Sequence, residues 1–315
     1  MRALVFEGDV QLCEIPMPQP GPGEALIRVL TAGICNTDLE IQRGYMKFKG
    51  VLGHEFVGLV EKSMNPFLRG KRVVGEINCA CGQCHYCQME MPFHCLSRSV
   101  LGILDRPGAF AEYLCLPEEN LHLAPPSVRD DVAVFTEPTA AAFRILEQVK
   151  FGREDRVIVL GDGKLAQLVA QTLWLSTKNL TCVGKHAWKL ALLAEQGIAT
   201  AHVDDPMERG ADMVVDATGS HTGLPRALEL VRPEGTVVLK TTTAHPTALD
   251  LSVPVINEVT VIGSRCGPFR PALEALAMGT VEVRPLISES FDLCDGVSAL
   301  RRAQDPDVMK VLLHM

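Results

Sequence analysis

Aromatic residues are scarce in this chain of 315 residues: two Trp, three Tyr and eleven Phe amount to 5% of it. They do not interleave with Lys or Arg, so the stacking and charge-neutralising surface of a nucleic-acid binder is missing. Positive charge is also in deficit. Thirty Lys and Arg stand against 38 Asp and Glu, a formal charge of −8, and no polyanionic partner is expected. Long hydrophobic runs are lacking too, none reaching the ~20 residues that span a bilayer. Met1 leads directly into an alternating segment, with no apolar signal core, so the expectation is a cytoplasmic protein without a membrane partner. Cysteine, by contrast, is plentiful. Of eleven, four are clustered and the rest are scattered through apolar stretches, which in a cytosolic chain points to metal before disulfides.

The length suggests two domains. Residues 1 to about 124 read as mostly β, in short Val/Leu/Ile-rich runs such as Arg2–Glu7, Ala25–Leu30 and Phe56–Lys62, divided by Pro/Gly turns. From about residue 130 the texture changes. A helical stretch over Asp130–Lys150 precedes a buried-type strand at Arg156–Leu160 and a helix over Lys164–Leu175. Strands at Leu180–Val183, Asp212–Asp216, Thr236–Leu239 and Val259–Ile262 then alternate with helices at Ala187–Gln196 and Leu224–Val231. This βαβα order predicts a parallel, doubly wound sheet in an α/β chain. The last segment reads as a helix at Pro271–Met278, a strand near Pro285–Phe291 and a helix near Asp295–Ala303.

Five stretches carry chemistry. Cys35 lies nineteen residues before His54 and Glu55, and a thiolate, an imidazole and a carboxylate offer zinc three ligands while leaving a position open. Cys81-x2-Cys84-x2-Cys87-x7-Cys95 supplies four thiolates, a closed tetrahedral shell and hence a structural zinc site. An iron–sulfur cluster is the rival, for which the fourth Cys is expected sooner and a proline after it; Cys79 is near enough to substitute as a ligand.

Val157 to Ala166 fits a strand, a G-x-G-x-x-A turn and a helix start. Gly161 permits the turn and Gly163 lets backbone approach a pyrophosphate, with Lys164 and Leu165 opening the helix. At the end of the next strand, where an acidic residue would hold the ribose of NAD, stand Gly184, Lys185 and His186. The absent carboxylate and the added cations favour NADP, with NAD possible. Finally, Thr136, Glu137 and Pro138 suit a helix start, Thr as cap and Pro in the first turn, yet the Glu137 carboxylate could instead reach the zinc.

Taken together, Cys35 to Asp38, Gly53 to Glu55, the four-cysteine lobe, Glu137-Pro138 and the glycine turn resemble, in type and order, the zinc-containing medium-chain alcohol dehydrogenases. The resemblance covers essentially the whole chain and is nearest the polyol and sugar dehydrogenase branch, in which a glutamate before a proline takes part in the metal site. It implies a GroES-like catalytic domain of residues 1–124 and 266–315, with a structural zinc lobe at about 79–96. A Rossmann domain of residues 125–265 is inserted, with the active site in the cleft. It also implies two Zn²⁺ per chain, a small alcohol, polyol, sugar or carbonyl substrate, and a homo-dimer or homo-tetramer.

The resemblance assigns Cys35, His54, Glu55 and Glu137 to the catalytic zinc. Asp38 would orient the His54 ring, and Thr37 would accept the substrate proton. Relatives end the proton relay at a histidine where this chain has Glu40, so Glu40 or water is the exit. Thr218 and Arg265 complete the expected cofactor contacts. Charge counting adds a constraint: zinc with Cys35, His54 and one carboxylate is neutral, whereas Glu55 and Glu137 together leave the site anionic and a weaker Lewis acid. The competing readings are a reductase of activated double bonds and a non-catalytic NADPH-binding sensor or structural protein.

Overall fold

The computed structural model describes residues 1–242 and 248–315. They form two compact units, one of Met1–Glu137, Ala272–Ala277 and Val283–Met315, the other of Pro138–Pro271 and Met278–Glu282.

The first unit is built on the strand Glu24–Gly33, most of whose residues are buried. It pairs antiparallel with Glu55–Lys62, Tyr113–Pro117 and Lys310–His314, the last of which also runs parallel to Ile287–Asp292. The sheet is thus mostly antiparallel, as a GroES-like domain requires. Its register sets Gly33 opposite Glu55 on one side and opposite Leu312 on the other. A Cβ on Gly33 would lie 2.6 Å from Glu55 Oε2 and 3.4 Å from Lys310 Nζ. The missing side chain makes room for two charged groups to meet across the strand.

The second unit holds, among the described residues, a six-stranded all-parallel sheet in the spatial order Ala199–His202, Leu180–Gly184, Val157–Leu160, Ala211–Asp216, Val231–Leu239 and Thr260–Gly263. This is the doubly wound Rossmann order. All four residues of Val157–Leu160 are buried, as expected for a central strand covered on both faces. Ile158, Val214, Val237, Leu228 and Leu230 share one core cluster, each stabilising the unit by roughly 1.5–3 kcal/mol on burial.

Three local expectations need correction. The helical stretch over 130–150 is two helices, Asp130–Ala133 and Thr136–Gln148, parted at the buried Val134 and Phe135. Thr136 does not cap; its hydroxyl donates 2.6 Å to Ala133 O at the end of the preceding helix. Beyond residue 124, two strands among the described residues, Ala199–His202 and Lys310–His314, arise where the pattern predicts none. The first is poor in β-branched residues, and the second opens on a lysine.

Candidate active site

Strand Glu24–Gly33 delivers Cys35 to the N-cap of the helix Asn36–Gln42, where Asp38 Oδ2 accepts the Cys35 N–H at 2.8 Å. His54 and Glu55 stand at the entrance to strand Glu55–Lys62. One ligand atom from each of Cys35, His54 and Glu55 lies within 4.8 Å of the others. Asp38, fully buried, binds both halves of this group: its Oδ1 accepts Gly53 N–H at 3.3 Å and lies 3.2 Å from His54 Nδ1. The His54 contact is an ion pair bent away from hydrogen-bond geometry. Burial opposes charge on the His54 ring, but the Asp38 carboxylate and the Cys35 sulfur outweigh it and hold the imidazole pKa well above its ordinary value. A metal ligated by that ring would displace its proton. Thr37 Oγ1 lies 3.7 Å from Cys35 Sγ, and Glu40, one turn further on, is paired to Arg43 at 2.7 Å.

Sequence reasoning missed Lys310. Its ammonium forms an ion pair with the Glu55 carboxylate, both side chains 1% exposed, and lies 3.4 Å from Ile34 O and 5.3 Å from the centre of the Phe135 ring. The available signal was a lone lysine at the head of the apolar Val311, Leu312 and Leu313. Glu137 is half-buried in the first turn of Thr136–Gln148 and, among the described residues, is not one of the three whose ligand atoms converge.

Cys81, Cys84, Cys87 and Cys95 form the second group. All four sulfurs lie within 4.8 Å of one another, with neighbouring pairs at 3.5, 3.8 and 3.5 Å. A single tetrahedral ion with ~2.3 Å Zn–S bonds needs sulfurs about 3.8 Å apart, so the spacing fits one zinc; thiolates around a multi-iron cluster would stand further apart. N–H groups of Cys87 and Leu96 hold Cys84 down to about 6, while burial and then the neighbouring thiols push Cys87 up to about 12. Cys79 lies outside the group, in strand Asn78–Cys79, with its sulfur 3.9 Å from Asn120 Nδ2.

In the second unit, Gly161 adopts φ +114°, and a Cβ there would meet Ala217 O at 2.6 Å, so only glycine makes this turn. Gly163 is the N-cap of Lys164–Trp174 without a side-chain cap, and a Cβ on it would have nothing within 4 Å. Uncapped N–H groups behind open space fit a pyrophosphate, with Lys164 and Leu165 as the first helical residues. Thr218 lies just past strand Ala211–Asp216, its hydroxyl donating 2.8 Å to Asp216 Oδ1. Arg265 is exposed beyond strand Thr260–Gly263, and its carbonyl accepts from Lys240 Nζ at 3.0 Å.

The strand end at Gly184 differs from expectation. It does not lack a carboxylate, because Asp162, between the two glycines of the turn, places one there. Asp162 Oδ2 accepts Lys185 N–H at 2.6 Å and His186 N–H at 2.7 Å.

Known proteins resemble the chain in sequence and fold. Residues 21–126 match the alcohol dehydrogenase GroES-like domain, and residues 179–279 match the zinc-binding dehydrogenase domain. An erythritol/L-threitol dehydrogenase of Mycolicibacterium smegmatis is 30% identical over 332 residues, covering 94% of this chain and 92% of the relative. The chain belongs to the zinc-containing medium-chain alcohol dehydrogenase family.

Two solved structures similar to the chain carry different nicotinamide cofactors. One, described as a zinc-binding dehydrogenase of Sinorhizobium meliloti 1021 bound to NADP, is 26% identical with a TM-score of 0.90, covering 100% of this chain and 99% of its own. The other, an alcohol dehydrogenase of Escherichia coli CFT073 complexed with NADH, is 26% identical with a TM-score of 0.91 and the same coverage. As a member of this dehydrogenase family, the chain is an NAD(P)-dependent zinc alcohol or polyol dehydrogenase. No helix among the described residues is long and apolar enough to cross a membrane.

Proposed function

We propose that this dehydrogenase moves a hydride between a polyol or sugar hydroxyl and a nicotinamide dinucleotide at a centre held by Cys35, His54, Glu55 and Glu137. The observation that carries the reading is the convergence of Cys35, His54 and Glu55 on one another, with the buried Asp38 clamping the first two. The relative acting on erythritol and L-threitol supports a polyol as the substrate class.

When bound, zinc supplies the Lewis acid that favours an alkoxide, and the nicotinamide supplies the hydride acceptor. The chain's own residues do the rest. Asp38 fixes Cys35 through its backbone and His54 through its ring, so both ligands are set before metal arrives. Lys310 eases the charge problem: its ammonium, paired with Glu55, offsets one carboxylate, so Glu55 and Glu137 can both attend the metal while the ion, its ligands and Lys310 together sum to zero. Thr37 Oγ1, beside Cys35 Sγ, takes the substrate proton and passes it to water or to Glu40, one helical turn away on the same face. The four-cysteine lobe holds a second, structural zinc.

The NADP preference read from Gly184, Lys185 and His186 keeps one support, the exposed Lys185 side chain, and loses another, because Asp162 brings a carboxylate to the place Gly184 leaves vacant. The expected domain division at residues 124 and 265 and the contacts of Thr218 and Arg265 with cofactor belong to the same proposal. So does a homo-oligomer: strand Thr260–Gly263 ends its sheet, and in the segment that leads into it Leu251, Val255 and Ile256 are 66, 74 and 78% exposed. Thiolate sites of this kind persist in a reducing compartment, in keeping with a cytoplasmic location.

The test is nicotinamide absorbance with zinc-loaded protein across tetritols, pentitols, hexitols, simple alcohols and aldoses, with NAD and NADP in parallel. Turnover highest with a polyol is expected. Silence with every substrate and both cofactors would contradict the reading.

A further inference from the structure

The glycine turn and the strand end beside it are coupled in an unusual way. In doubly wound sheets the strand after the glycine turn ends in an acid that holds the adenosine ribose; here it ends in Gly184, which has no side chain to do so. A Cβ on Gly184 would lie 2.5 Å from both Cβ and Oδ2 of Asp162, so the Asp162 side chain fills the volume that such an acid would enter. Its carboxylate is held firmly. Oδ2 accepts Lys185 N–H at 2.6 Å, His186 N–H at 2.7 Å and the His186 ring Nδ1 at 3.0 Å. Oδ1 has a single contact, His186 Nδ1 at 3.2 Å, which leaves it acceptor capacity. The side chain is 10% exposed.

This arrangement disfavours a ribose 2′-phosphate in two ways. The backbone N–H groups of Lys185 and His186, at the N-terminus of helix Ala187–Ala194, are the donors that such a phosphate would seek, and Asp162 has already taken them. The phosphate would also sit beside a fixed carboxylate, with the His186 ring engaged by that same carboxylate. Opposing this at the turn is the exposed Lys185 ammonium, whose charge is strongly screened by solvent.

We propose that Asp162, from within the phosphate turn, replaces the missing strand-end acid as the group that reads the adenosine ribose: Oδ1 accepts a ribose hydroxyl, the 2′-phosphate is turned away, and the enzyme takes NAD(H) in preference to NADP(H). The proposal rests on the dinucleotide reading of the glycine turn and assigns to a residue of that turn a choice normally made one strand away.

The experiment is calorimetric titration of the full-length, zinc-loaded protein with NADH and with NADPH, without substrate, on wild type, on Asp162→Asn and on Asp162→Gly combined with Gly184→Asp. Wild type is expected to bind NADH at least about tenfold more tightly than NADPH. Asp162→Asn, which keeps the shape and removes the charge, is expected to bring the two constants together. The double variant, which returns the acid to the strand end without a clash, is expected to restore preference for NADH. Equal or tighter binding of NADPH by wild type would overturn the proposal while leaving the dinucleotide reading intact. An unmoved ratio in a folded Asp162→Asn, with its melting temperature measured alongside, would also overturn it. Binding of neither cofactor would remove both.

Discussion

Replacing Lys310 by methionine gives a sharp test of how the metal site is balanced. Lys310 and Glu55 meet across Gly33 with side chains 1% exposed, so methionine keeps the volume and leaves the Glu55 carboxylate buried without its cation. Removing one partner of such a pair costs ~3–5 kcal/mol. In a chain of this size that lowers the melting temperature by roughly 5–8 °C. The loss should depend on metal: in the zinc-free protein Glu55 has nowhere to place its charge, whereas in the zinc-loaded protein it can turn to the ion. Thermal unfolding followed by circular dichroism, with chelator and with zinc, should therefore show the full loss zinc-free and half of it or less zinc-loaded. Adding Glu55→Gln to Lys310→Met should recover most of the zinc-free loss, since the stranded charge is then gone. Equal losses in both metal states would refute the role of Glu55 toward zinc, and no loss at all would refute the pair.

The same geometry makes further outcomes checkable. Asp38→Asn should weaken zinc at the catalytic centre by about 10–100-fold, measured by chelator competition, while the four-cysteine site is unaffected; unchanged competition would mean that the clamp is idle. Cys84→Ser should lower the melting temperature and remove one zinc per chain by elemental analysis, and retention of both ions would count against the structural site. Ile256→Glu should shift the mass seen by light scattering from oligomer to monomer; a monomeric wild type would end that reading.

Much of the site is legible in the sequence because its signals are local. The four cysteines fall within fifteen residues, their spacing points to a closed tetrahedral shell ahead of an iron–sulfur cluster, and the neighbouring sulfurs are found 3.5–3.8 Å apart. Cys35, Asp38 and His54 belong to the end of one strand, one helix turn and the entrance to the next strand, and the glycine turn is continuous in sequence. The succession of the parallel strands is readable because most are short buried runs.

What escapes a sequence reading are pairings made by the sheet over long separations. Glu55 and Lys310 are 255 residues apart, and nothing in either neighbourhood announces the other; only the register around Gly33 brings them together. Asp162 escapes for a different reason. In sequence it is merely the variable residue of a G-x-G turn, and Gly184 shows only what its own strand end lacks, although the two side-chain volumes compete for one place. Strand Ala199–His202 is hidden because alanine and histidine carry little β preference, and tertiary pairing decides its form.

Whether Cys35, His54 and Glu55 hold the zinc at which the hydroxyl is oxidised is tested most directly by zinc content together with turnover on the best polyol, wild type against Cys35→Ser. Wild type should carry two zinc ions and reduce the nicotinamide, and the variant should be folded, carry one zinc ion and show no turnover. A Cys35→Ser protein that still reduces the cofactor at a wild-type rate would contradict this role.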